Sequence, residues 1–313
     1  MLDFDHTYIG CGNKLSAHDL VSLGFIQSYK DLLSDSSELN DNLVISVDTV
    51  MPTSSAISHF AKCAYLHCAN DLYSVGALPK ACTISFGLSH SLDDNEKKEL
   101  VEETKKNLKK EGVECLNYHS FLADQTSITY TLIGEKNKAL APSLGNISAG
   151  MDILITKPLI LYPNKKVHSS DLIKTYLSSN RNIVKVKELD SIITKDISGF
   201  GLIGSLLPYF IDTQFYASLN KNLIPFVGVA AKSSHCTFKK NIESFSNYIN
   251  LPLNIEENYI HASLSGQSNG PILIFTQDSS NTLGLLKDYG FEAEKIGVVS
   301  LMLTSNKKEI SFL

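Results

Sequence analysis

Lys195-Asp196-Ile197-Ser198-Gly199-Phe200-Gly201-Leu202-Ile203-Gly204 carries glycines at the spacing GxGxxG, and its reading decides the fold of this 313-residue chain. In a dinucleotide-binding unit such a run directly follows a strand, opens a helix, and is answered by an acidic residue about 20 positions later. Here Thr194-Lys-Asp-Ile-Ser198 precedes the glycines, and residues 222–226, where the acid is due, hold none. The dinucleotide reading therefore fails. What remains is a glycine turn with a lone aspartate, Asp196, just ahead of it.

Outward from that turn, the first half of the chain alternates strand and helix signals. Residues 43–48 are rich in β-branched side chains and run out at Pro52. Residues 54–75 place Ile57, Phe60, Ala61 and Ala64 at helical spacing, with Gly76 and Pro79 as stop signals. A strand follows at 81–88. Residues 92–110 form an amphipathic helix with Asp93 and Asp94 in its first turn and Gly112 past its end. Two strands, 113–118 and 127–134, complete a β-α-β-α-β-β order, which predicts a sheet with helices packed on one face. A small-residue loop at 142–150 leads to a second block that opens with a strand at 151–158. It continues with helices at 170–179, 201–210 and 280–289 and strands at 271–276 and 295–303. The expected class is α/β (α+β), with one domain over 1–150 and another over 151–313.

Composition narrows the function. Hydrophobic residues make up 43% and charged residues 19%, enough for two ordinary cores. A net charge of −5, with no basic cluster interleaved with aromatics, argues against a nucleic-acid surface. The lysines of 105–110 are flanked by Glu102, Glu103 and Glu111 and read as a solvated helix face. No apolar stretch is long enough to span a membrane, and the first residues do not read as a signal peptide. The six cysteines show no CxxC and no metal-ligand spacing, which fits a reducing cytoplasm. Cys11, between two glycines and near Lys14, stands apart from the rest.

Three lone aspartates carry the chemical signal. Asp48 ends an apolar strand, Asp71 sits near the end of an apolar helix, and Asp196 precedes the glycine turn. Buried carboxylates are costly unless paired or ligating a metal. Magnesium takes one or two carboxylates plus phosphate oxygens, so scattered aspartates converging on a nucleotide suit it. Taken singly, each aspartate is equally well read as a cap or turn residue. His119-Ser120, after a strand, has the donors for a phosphate, though such a pair is more often surface. Lys14 lowers the pKa of a neighbouring thiol and the glycines admit a ligand to the backbone, yet Gly-Cys-Gly near a terminus is equally a flexible arm.

The order of these segments resembles selenophosphate synthetase (selenide, water dikinase) over nearly the whole chain. Gly10-Cys11-Gly12-Asn13-Lys14-Leu15-Ser16 is similar to that family's Gly-Cys-Gly-Cys-Lys-Ile-Ser segment. Val44-Ile-Ser-Val-Asp48-Thr-Val-Met-Pro52 resembles its Thr-Thr-Asp-Phe-Phe-x-Pro strand. Asn70-Asp71-Leu-Tyr-Ser-Val-Gly-Ala-Leu-Pro79 resembles its Ser-Asp-x-x-x-Met-Gly-Gly-x-Pro turn. His119-Ser120 falls at Gly-Gly-His-Ser, and Ile155-Thr-Lys-Pro-Leu159 at a Thr-Lys-Pro-Leu strand. The stretch from Lys195 to Gly204 resembles Thr-Asp-Val-Thr-Gly-Phe-Gly-Leu-Leu-Gly, and Ser265-Gly-Gln-Ser-Asn-Gly270 is a weaker echo of Asp-Pro-Gln-Thr-Ser-Gly-Gly.

The resemblance implies a two-domain fold of the aminoimidazole ribonucleotide synthetase-like (PurM-like) superfamily. It also implies a homodimer whose N-terminal domains share a β-barrel, and a mobile catalytic arm over about residues 1–20. ATP would be converted with selenide and water to selenophosphate, AMP and phosphate. Asp35, Asp71 and Asp196 would hold magnesium, and Asp48, Tyr118, His119 and Ser120 would approach the nucleotide. Lys14 would face the phosphates and Cys11 the selenium. The chain departs from the pattern at Ser34-Asp35-Ser36-Ser37, where the family has paired aspartates, at His67 for an asparagine, and at Asn117-Tyr118 for two glycines. Two alternatives follow from these departures. One is a phosphoryl-transfer enzyme of the same superfamily with another acceptor, and the other is a nucleotide-binding paralogue without activity.

Overall fold

The computed structural model describes residues 14–33, 36–52, 56–136, 147–161, 170–186, 192–228, 236–251, 257–302 and 308–313. Cys11 and Asp35 lie outside the described residues. The first elements are α1 (Ala17–Ser22), β1 (Ser37–Glu38), β2 (Leu43–Val50), α2 (Ile57–Ser74), β3 (Ala77–Ser89), α3 (Asp94–Glu111), β4 (Glu114–Ala123) and β5 (Ser127–Lys136). Their strands make a five-stranded sheet in the order β1-β2-β5-β3-β4. It is antiparallel apart from the β3–β4 pair. The expected β-α-β-α-β-β order is observed.

Alternation along β2 turns Val44, Ser46 and Val50 inward, onto α2. That helix is apolar nearly all round and is buried from Cys63 to Ser74, the pattern of an internal helix. Charged α3 instead buries only Leu100, Thr104 and Leu108, so it turns one narrow stripe inward, beside α2 and against the same sheet, where Lys105 lies over Tyr118 of β4. Its start is fixed by reciprocal capping between Asp93 and Glu96, and its end by Gly112 in the left-handed region. Pro79 does not stop the chain, because β3 begins at Ala77. A register irregularity between Pro79 and Ala81 absorbs the proline's missing N–H.

The remaining elements are β6 (Asp152–Ile155), β7 (Leu159–Leu161), α4 (Ser170–Tyr176), α5 (Ile183–Val186), β8 (Ile193–Asp196), α6 (Gly201–Leu206), β9 (Phe215–Leu219) and β10 (Phe226–Gly228). They continue with α7 (Cys236–Phe245), β11 (Ile249–Asn250), α8 (Glu257–Leu264), β12 (Ile272–Thr276), α9 (Ser279–Asp288), β13 (Glu294–Leu301) and β14 (Ile310–Phe312). Among the described residues a seven-stranded sheet runs β11-β14-β9-β13-β6-β12-β8, and β7 pairs with β10 apart from it. One apolar cluster passes from the first sheet through α2 to Leu154, Ile272 and Ile274 on one face of this second sheet. The alternate residues Ile153, Ile155, Leu273 and Phe275 face the other way, into a second cluster with α6. The second sheet is thus covered on both faces.

One sequence argument needs correction here. A strand, β8, does stand immediately before the glycine run, and a helix does open at Gly201. The dinucleotide fold is excluded by topology instead. β8 is an edge strand antiparallel to β12, and α6 has six residues, so among the described residues β8 and α6 open no parallel βαβ unit. Gly201 has φ +67°, and a Cβ there would lie 2.9 Å from both Ser263 O and Ser265 O. Gly201→Ala is therefore expected to lower stability by about 3 kcal/mol. Gly284→Ala, at an open position inside α9, should raise stability by up to about 1 kcal/mol. Urea denaturation of both variants checks the contrast.

Candidate functional site

A buried helix must match every polar group it carries, and α2 carries His67, Asn70, Asp71 and Ser74 in its buried part. Asp71 is 3% exposed and accepts a hydrogen bond from the Ser46 hydroxyl of β2. One turn earlier on the same helix face, His67 Nε2 stands 3.6 Å from Asp48 Oδ2. His67 Nδ1 donates to Ser268 O at 2.7 Å. Ser46 and Asp48 are alternate residues of β2, about 7 Å apart on its inner face. Asp48 and Asp71 therefore sit side by side. The Asp48 side chain keeps 22% exposure, which puts it at the accessible rim while Asp71 lies deeper. Burial pushes the Cys68 thiol well above its usual range, and the nearby Asp48 and Asp71 add to this, so Cys68 is an inert packing residue.

Strand β8, which carries Asp196, reaches the same helix from the second sheet. The Thr194 hydroxyl of β8 donates to Ser74 O at the end of α2. Asp196 is two residues further on the same face of β8, 2% exposed, with Lys195 Nζ 3.7 Å from its Oδ1. The glycine turn that follows is closed by Gln267 N donating to Ser198 O (2.9 Å) and Asn241 Nδ2 donating to Gly199 O (3.1 Å). Onto this turn comes Lys14, whose Nζ lies 4.7 Å from the centroid of the Phe200 ring. Its backbone is held by Lys240 Nζ, which donates to Lys14 O at 3.1 Å. Two residues later Ser16 and Asp19 cap α1 reciprocally and anchor the segment.

A ladder of amides joins these parts. Asn70 Nδ2 donates to Asn269 Oδ1 (2.9 Å), and Asn180 Nδ2 donates to Asn70 Oδ1 (3.0 Å) and to Gly270 O (2.9 Å). Asn269 Nδ2 in turn donates to Tyr176 O at 2.7 Å. His67, Ser46, Asn180 and Asn269 were not singled out from sequence as partners in this arrangement. The available signal was a run of polar residues at positions of α2 that an apolar helix would otherwise fill.

Tyr118, His119 and Ser120 lie elsewhere. The register Asp48–Tyr130–Ile84–Tyr118 puts them three strands away from Asp48, about 14 Å. Tyr118 stacks on Phe86 at 6.4 Å with Lys105 Nζ 5.3 Å from its ring centroid, and His119 stands 6.2 Å from Phe121. Within one chain the structure does not bring this stretch to the aspartates. Among the described residues no three His, Cys, Asp or Glu side chains are grouped to hold a metal ion. Separate carboxylates fit magnesium that arrives with nucleotide phosphates, which needs one or two protein ligands, and do not fit an all-protein cage.

Residues 34–135 match the family model of the AIR synthase related protein N-terminal domain. No curated protein matches the chain in sequence. Its fold is like that of the HypE–HypF complex (18% identity, 90% of this chain and 93% of that chain, TM-score 0.66). It is also like thiamine monophosphate kinase from Aquifex aeolicus (15%, 94% and 95%, 0.64) and HypE in complex with ATP (17%, 96% and 92%, 0.61). The chain is built on the PurM-like fold.

Asn180→Ala strips partners from Asn70 Oδ1, Gly270 O and the Thr156 hydroxyl, which donates to Asn180 Oδ1 at 3.2 Å. The expected cost is about 2–4 kcal/mol in chemical denaturation. A double-mutant cycle with Asn70→Ala should show coupling of about 1 kcal/mol or more.

Proposed function

We propose that the chain is an ATP-dependent phosphoryl-transfer enzyme that makes selenophosphate from selenide and water, with release of AMP and phosphate. The observation that carries this reading is the seat of Lys14 on Phe200, four residues after Asp196. Cys11 stands three positions before Lys14 in the chain, a span of at most about 11 Å, so in this reading a thiol and an ammonium serve the same end of the site. In this reading Asp71 and Asp196, with Asp35, bind magnesium, which when present neutralises phosphate charge. Asp48 meets the nucleotide at the rim, with His67 fixing its position. Lys14 exchanges the Phe200 ring, a contact of roughly 1 kcal/mol, for phosphate oxygens. Cys11 receives the selenium.

The two-domain division at residue 150 is part of the same proposal, as is a homodimer. β4 exposes Leu116, Tyr118, Phe121 and Leu122 on an edge strand, the kind of apolar edge that a second copy covers. The described cysteines Cys63, Cys68, Cys82 and Cys115 are thiols, in keeping with a cytoplasmic enzyme. No described helix is long and apolar enough to cross a membrane. A second reading, the same transfer to a different acceptor, is favoured by the fold's likeness to a kinase of thiamine monophosphate.

Anaerobic incubation with ATP, magnesium and selenide tests the assignment. AMP should form only when selenide is present. Cys11→Ala and Lys14→Ala should each reduce the rate by about 100-fold or more. Asp71→Asn should lower turnover comparably and raise the magnesium needed for half-maximal rate. Selenide-independent ADP formation would point to the other acceptor, and nucleotide binding without any turnover would overturn both readings.

A further inference from the structure

Lys157, in the segment Thr156-Lys157-Pro158 between β6 and β7, is left unused by the site described above. Lys157 is 6% exposed, and its Nζ donates to Ser178 O at 3.1 Å and Ser178 Oγ at 3.2 Å, just past the end of α4. With Cε bonded and two acceptors taken, the nitrogen has one direction left. It lines a cavity of about 90 Å³ that Thr156, Thr175, Asn180 and Phe291 also line. That is roughly the volume of three water molecules. The titratable groups around it are Cys63 from α2, Lys174 from α4 and Glu292 from the segment before β13. Glu292 is engaged by Lys174 at 2.9 Å, with both side chains more than 70% exposed at the cavity's mouth. Among the described residues that line the pocket, Lys157 thus has no carboxylate but Glu292, which belongs to another cation. Burial accordingly lowers its pKa to about 7.

We propose that this cavity binds a small oxyanion, with the Lys157 ammonium as counter-ion and the Lys174–Glu292 pair as its gate. An oxyanion of that volume accepts the remaining N–H and supplies the missing negative charge. The alternative, a strut that merely ties down the turn at Ser178, needs the two Ser178 hydrogen bonds and no ligand. Nothing in the proposal depends on the reaction assigned above, because none of the lining residues is among Cys11, Lys14 or the aspartates.

The sign of the pH dependence follows from the amine. Its pKa is lower in the folded chain, about 7, than the ordinary lysine value of 10.5, so between those values the unfolded chain binds more protons. Stability without anion should therefore rise with pH across that window, and Lys157→Met should flatten the rise. Anion binding restores the charged amine, so above about pH 7 it takes up a proton and its affinity falls by about tenfold per pH unit at the steepest.

Calorimetric titration of the full chain with sulfate, and separately with acetate, at about pH 6 and about pH 8.5 tests this, since neither anion changes charge between them. Binding should be at least about tenfold tighter at the lower pH, with proton uptake at the higher, and Lys157→Met should lose at least about tenfold in affinity. Glu292→Gln, at an exposed position that leaves the core intact, should tighten binding severalfold by releasing Lys174. Sulfate alone binding identifies a tetrahedral oxyanion such as phosphate, and acetate alone a carboxylate. No binding of either anion, or binding indifferent to pH and to Glu292→Gln, overturns the proposal and leaves Lys157 as a strut.

Discussion

Everything in this molecule that positions chemistry depends on α2 being enclosed. Its outer half is apolar and its inner half lies between the first sheet and one face of the second. A helix in that position has no water with which to satisfy a polar side chain, and each unmatched group costs about 1–3 kcal/mol. His67, Asn70 and Asp71 are matched by Ser268, by Asn180 and Asn269, and by Ser46 respectively, while the Ser74 hydroxyl donates to Asp71 O within the helix and the Ser74 carbonyl accepts from Thr194. Those partners come from β2, β8, the segment after α4 and the loop before β12. Three polar side chains and one backbone carbonyl of a single helix therefore fix where four separate pieces of chain stand.

This explains why Asp48 and Asp71 are neighbours. Asp48 and Asp71 come together because alternation on β2 and one helical turn of α2 are close in pitch, about 7 Å against about 6 Å. Asp196 stands two residues beyond Thr194, through which β8 is tied to the end of α2 at Ser74. The depths differ, and the difference matters. Asp71 and Asp196 are almost fully withdrawn from water, whereas Asp48 is 22% exposed. Deep carboxylates gain most from a cation, because the medium around them screens charge poorly. The shallow one is suited to an exchangeable partner.

The first sheet is asymmetric in the opposite sense. Its inner face carries α2 and α3, while β4 is exposed along nearly its whole length. An edge strand with Leu116, Phe121 and Leu122 about half exposed or more is a place where pairing with another strand is favourable. Tyr118-His119-Ser120 belongs to this edge and not to the aspartate cleft of its own chain. Under the proposed function, the stretch does its work where a second copy closes over β4, and the 14 Å gap ceases to be an objection.

How far the sequence could be read follows from the same distinction between one-sided and enclosed elements. β2, α3 and the first-half order were legible because each shows a face to water: β2 alternates, and α3 has its apolar stripe and paired caps. β8 was not, because all four of its residues are buried and it has no period of two to display. β7 and β14 are buried throughout for the same reason, and β11 has only two residues. The aspartates were legible as anomalies, since a carboxylate in an apolar run stands out in any fold. His67, Asn180 and Asn269 were not, because an amide or imidazole signals little until its partner is known, and the partners lie 90 to 201 residues away. Lys157 shows the limit most clearly. A lysine before a proline reads as a turn residue, and only the closure of α4 and the segment before β13 around it makes it a buried cation. Local pattern reveals which residues are unusual. Which of them share a site is set by contacts that no window of the sequence contains.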